Sequence, residues 1–238
     1  MGGESLAAFP HWIVLAACST LLWFVIELIG RKTWFTDELA AFGHSFTCMV
    51  LTGATVMLDV STGRDIYCFC SCAIEPPWTA TILPAVTMGY GFYDLLIGIH
   101  RHARWDYSMH GVVLILACGA VCVSKQAHQV TYMMLMEWST VFLNLRRLKS
   151  IYIDFMFALL FFVIRIGVVP FVWTKWMYRF SRDDTDTSCI ATIVPWAALF
   201  GGIILHVLNI YWARFLFIKV RKKVRELAAA TADMKKEQ

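Results

Sequence analysis

The chain has 238 residues, of which 59% are hydrophobic and 16% charged, with a formal charge of +4 and a mean hydropathy of +0.62. Soluble globular domains run about 45–50% apolar and about 25% charged. The composition therefore excludes a secreted soluble protein, a disordered chain and a conventional water-soluble enzyme. So small a positive charge also argues against nucleic acid as a partner.

Apolar runs follow one another at residues 9–29, 39–58, 78–99, 110–123, 130–145, 151–173 and 190–217. A helix needs about 17–25 apolar residues to cross a bilayer, and most runs reach that length, the fourth being short. The runs lack the period-two alternation of barrel strands. The expected fold is thus an all-α polytopic membrane bundle of about seven helices enclosing a polar or lipid cavity. Residues 1–35 form a first span and loop, 36–219 a main membrane domain, and 220–238 a basic cytosolic tail. The first run holds Glu27 and follows no basic residue, unlike a signal peptide, so it reads as a permanent span.

Seven spans put the odd connections and the tail on one side of the membrane. That side carries Arg31, Lys32, Arg101, Arg104, Arg146, Arg147, Lys149, Lys219, Arg221, Lys222, Lys223, Arg225, Lys235 and Lys236. The opposite side carries only Arg64, Lys125, Lys175, Arg179 and Arg182. The positive-inside rule places the richer side in the cytosol. Lys235 and Lys236 resemble a dilysine retrieval signal, which points to the endoplasmic reticulum.

Cys68, Cys70, Cys72 and Cys189 fall on the opposite, lumenal side, where a disulfide is chemically permitted with its pairing open. Their spacing differs from the C-x2-C of zinc sites, and no metal site is expected.

Polar groups inside spans are costly and mark candidate sites; the alternative is hydrogen bonding that packs helices together. His44, Cys48, Thr52, Thr55 and Asp59 form one stripe of the second span. Tyr90 and Asp94 lie near the cytosolic end of the third, and His110 opens the fourth. Glu137, Thr140 and Asn144 share a face of the fifth, Asp154 starts the sixth, and His206 and Asn209 share a face of the seventh. Six spans thereby contribute polar groups to the cytosolic half, as a cavity open to that leaflet requires. Arg165 lies deeper; Asp154, eleven residues earlier, is about 16 Å away along a helix, so Arg165 needs another partner, for which Glu137 is the candidate.

Four strings in order, GYGFYDLL at 89–96, MEWSTVFLNLR at 136–146, FFVIRI at 161–166 and LNIYW at 208–212, resemble the TLC-domain family. That family includes ceramide synthases, translocon-associated TRAM proteins and small TLC-domain proteins of lipid homeostasis. The resemblance spans roughly residues 36–219 and is closer to the small lipid-handling members. Ceramide synthases carry adjacent histidines where this chain reads Met109-His110-Gly111. One imidazole of the pair is replaced by a glycine that leaves space.

The resemblance implies a protein that binds membrane lipid, phospholipid or sphingolipid, and influences lipid composition. An alternative is an acyl-CoA-dependent N-acyltransferase acting on a sphingoid base, with His110, Asp94 and His44 as its catalytic set. No cofactor is expected in either; acyl-CoA would enter only as co-substrate. A third reading is a structural or trafficking subunit, with a membrane-protein partner or a second copy on its aromatic surface. Nucleotide-binding and hydrolase motifs are absent.

Overall fold

A computed structural model of the protein describes residues 11–30, 39–63, 77–100, 105–124, 131–182 and 193–236. Among these residues every regular element is helical. The chain runs through α1 (His11–Gly30), α2 (Leu39–Ser61), α3 (Trp78–His100) and α4 (Trp105–Ser124). A 3-10 turn (Met134–Met136) leads into α5 (Glu137–Leu145), and a second one (Arg146–Leu148) ends it. Then come α6 (Ile151–Leu160), a π-helical stretch (Phe161–Val168), α7 (Val169–Ser181) and the long α8 (Ile193–Lys236).

Among the described residues, five helical segments are long and apolar enough to cross a membrane: His11–Gly30, Leu39–Ser61, Trp78–His100, Ile151–Tyr178 and Leu199–Glu226. The apolar part of α4, Ser108–Cys122, is shorter. The expected fifth span, 130–145, is helical over its described residues 131–145 but tightens into a 3-10 turn at Met134–Met136. The nine residues Glu137–Leu145 after that turn are α-helical, a second 3-10 turn follows at Arg146–Leu148, and Lys149 turns the chain with a left-handed φ of 49°. Glu137, Ser139 and Asn144 give this segment a mixed face that turns inward.

α3 is the axis. It packs along α4 and α1, and also touches α2. Small residues allow this, since backbones approach closely only where side chains are short. A Cβ on Gly91 would meet the Gly111 carbonyl oxygen at 3.0 Å, and one on Gly89 would meet Ser19 Cβ at 2.7 Å. Hydroxyls pin the same seam: Ser19 donates to the Val86 carbonyl at 3.0 Å and Thr20 to the Gly89 carbonyl at 3.0 Å. The main core gathers Trp23, Leu83, Met88, Tyr90, Tyr93, Leu114 and Cys118. α2 bridges this half to α5, α5 packs on α6, and α8 touches α4, the π-helical stretch and α7.

The polarity is inverted relative to a soluble bundle. His44, Ser45, Cys48, Thr52, Thr55 and Asp59 of α2 all face inward, while Phe46, Val50, Met57 and Val60 face out. Apolar residues facing outward are at no disadvantage in hydrocarbon, whereas every polar group must find a partner inside. Tyr132 donates to Asp59 at 2.9 Å, Trp138 to Thr52 at 2.7 Å, and Thr55 and Thr79 share a 2.7 Å hydrogen bond.

Candidate functional site

Asp94 and His110 meet where α3 ends and α4 begins. The Oδ2 of Asp94 lies 3.1 Å from the Nδ1 of His110. Such a carboxylate holds an imidazole in one orientation and leaves its Nε2 to act. The pair is partly accessible, with 27% of the His110 side chain and 12% of the Asp94 side chain exposed. The seam behind it is closed by Gly111, whose Cβ would meet the Gly91 oxygen at 2.8 Å and the Leu95 nitrogen at 2.9 Å. This corrects one expectation: Gly111 leaves no space, because the α3 backbone occupies it. A second imidazole at that position has no room in this packing.

His44 lies one layer further in and is 1% exposed. Its ring stacks on Tyr90 at 4.0 Å between centroids, nearly parallel, and meets the Trp23 edge at 5.9 Å. Its Nε2 is 3.2 Å from the Cys48 sulfur and 3.4 Å from the Thr87 hydroxyl.

Glu137, on α5, is 3% exposed. Arg165 is the expected partner, with its Nη2 3.7 Å from Glu137 Oε1. The guanidinium spends its remaining donors on Met136 O at 3.2 Å, Ser139 Oγ at 2.9 Å, Thr140 Oγ1 at 2.7 Å and Asn209 Oδ1 at 3.3 Å. The Phe161 and Trp212 rings lie 5.5 and 6.0 Å from its central carbon. A fixed fork of five donors suits such multiple acceptors. Arg165 belongs to the π-helical stretch, a distortion often found at functional positions.

The polar centre is thus three sets of contacts: Asp94 with His110 where α3 meets α4, His44 with Tyr90, Thr87 and Cys48 between α2 and α3, and the connected set around Arg165, which holds Glu137, Ser139, Thr140 and Asn209 from α5 and α8. Asn144 sits at its margin, its amide 3.4 Å from Ser45 Oγ. Asp154 stands apart and accepts from Arg146 Nε and Lys223 Nζ, both at 2.7 Å. His206 makes a ring contact with Trp173 and takes no part in the connected set. Cys68, Cys70, Cys72 and Cys189 lie outside the described residues.

Ser139 and Thr87 join the centre without having stood out in the sequence. Serine and threonine in spans ordinarily bond their own helix backbone, as Thr20, Thr47 and Thr52 also do here, so their spacing alone carries no signal.

Apolar helices around buried polar and ionic groups define a polytopic membrane protein. The chain matches the TLC-domain family model over residues 39–218 and belongs to that family. The match begins at the first residue of α2. No curated protein and no solved structure matches the chain.

Proposed function

We propose that the protein binds membrane lipid at this polar centre and thereby influences membrane lipid composition. The observation that carries the reading is the partly accessible Asp94–His110 contact at the α3–α4 joint. A buried ionic group is expensive in a bilayer. Packing alone is achieved more cheaply by the small residues and hydroxyls already present on α1, α2 and α3. A lipid with a polar head and long chains fits a bundle that is polar within and apolar without.

Membership in a lipid-related family supports the same reading. The protein acts in the endoplasmic reticulum membrane with its basic tail in the cytosol, on the strength of the charge distribution and Lys235-Lys236. Fluorescence microscopy with an internal tag tests the compartment. Double substitution of Lys235 and Lys236 by Ser is expected to move the protein out of it.

A second reading is favoured by the same dyad: acyl transfer from acyl-CoA to a sphingoid amine. His110 would take the amine proton as the C–N bond forms and pass it to the CoA thiolate released when the thioester C–S bond breaks, Asp94 would orient the imidazole, and His44, buried against Tyr90, would support the centre. Gly111 weighs against it, because the imidazole pair of the synthases has no room here. Purified protein incubated with sphinganine and several acyl-CoAs separates the two readings. Ceramide formation that disappears in His110→Ala favours transfer; lipid binding without product favours the first reading.

A further inference from the structure

α8 carries two polar side chains that the bundle leaves incomplete. His206 and Asn209 stand one turn apart on the same face. Both imidazole nitrogens and the Asn209 Nδ2 are shielded from solvent, and none of the three has a hydrogen-bond partner among the described residues. Asn209 is 0% exposed. Its Oδ1 is committed to Arg165, so its amide protons are directed elsewhere. Unpaired polar groups in an apolar environment are costly, and in a bilayer bulk water does not relieve them.

The surroundings have a shape. The Trp173 indole meets His206 edge-on at 4.9 Å between centroids. Gly202, one turn earlier on α8, lies so close to that indole that a Cβ there would collide with it. α7 and α8 are therefore drawn together on one side of His206. On the other side α8 is almost wholly exposed and apolar, with Val207 and Ile210 outward. The π-helical stretch that carries Arg165 lies against the same part of α8.

The charges select the ligand class. Arg165 and Glu137 offset one another, so an anion or a cation arriving here would be left without a counter-charge. A neutral group fits. It must accept from the Asn209 amide and either accept from or donate to the imidazole, as a hydroxyl or an ester carbonyl does.

We propose that His206 and Asn209 hold the neutral hydroxyl–ester head of a lipid of the diacylglycerol type, whose chains lie along the exposed face of α8. This rests on the reading that lipid enters the bundle, and it places a second polar contact away from Asp94–His110.

The test is thermal unfolding of the purified full chain in detergent, with dioleoylglycerol as the probe and oleate as the anionic comparison. Dioleoylglycerol is expected to stabilise the protein. His206→Phe, which keeps the ring against Trp173 and removes both nitrogens, is expected to weaken that binding about tenfold. His206→Gln, which keeps a donor and an acceptor, is expected to bind within a few-fold of the native chain. Equal stabilisation of the native chain and His206→Phe overturns this site and leaves lipid binding elsewhere intact. No stabilisation of either overturns the diacylglycerol site and leaves other lipid at Asp94–His110 to its own test, and oleate acting as strongly as dioleoylglycerol overturns the neutral-head assignment. If His206→Phe does not fold, a photoreactive diacylglycerol in vesicles of the native chain decides the matter. Crosslinks to α7 or α8 support the site, and crosslinks confined to α3 and α4 overturn it.

Discussion

Arg165 and Glu137 are the residues on which the centre depends most. Removing one member of a buried ion pair strands the other, at a cost of about 3–5 kcal/mol, whereas replacing both by apolar groups is often nearly neutral. Arg165→Met is therefore expected to lower stability severely, and Arg165→Met with Glu137→Gln to recover a large part of the loss. A double-mutant cycle in detergent measures the difference; strictly additive losses would mean that the two do not interact. Gly111 works by contact rather than by charge. Gly111→Ala places a methyl 2.8 Å from the Gly91 oxygen and is expected to cost about 1–3 kcal/mol by overpacking, read as a lower Tm. The charged residues of the centre were legible in the sequence because a charge in an apolar run stands out against its neighbours. The role of Gly111 was not, because a glycine reads as space until the helix opposite it is known.

Among the elements, the long spans could be read directly, since length and continuous apolarity are all that a bilayer asks of a helix. The segment at 130–145 looked the same by composition, yet its helix tightens to 3-10 geometry at Met134–Met136 and again just past its end at Arg146–Leu148. Nothing local in that sequence marks the tightening. Its inward polar groups reach Thr52, Ser45 and Arg165 only from this irregular path. The π-helical stretch was equally hidden, because its i→i+5 bonding depends on tertiary contacts. α8 runs on beyond the apolar part of the chain, and its Lys223 is tied back to Asp154. Asp154 is about a quarter exposed, so the clasp is worth at most about 1 kcal/mol. Asp154→Asn is expected to leave Tm nearly unchanged and to speed amide exchange around residues 219–226. High salt is expected to reduce that difference by screening the pair in the native chain. Unchanged exchange would mean that the contact does not hold the helix.

At the scale of the whole molecule, the protein reverses the usual arrangement of polarity. Apolar side chains face outward from most of the helices, and α2, α3 and α5 turn hydroxyls, an imidazole and carboxylates inward. α1, which precedes the family match, packs on α3 and supplies the Trp23 edge against His44. It is therefore part of the same bundle, and its deletion is expected to disturb the polar centre as well as the first span. The central claim is that this centre handles lipid through the Asp94–His110 dyad. The most direct measurement is the membrane lipid profile of cells expressing the native chain or His110→Ala at matched abundance. The native chain is expected to shift the profile and His110→Ala to leave it at the level of cells lacking the protein. A shift of equal size and pattern from both chains would contradict it.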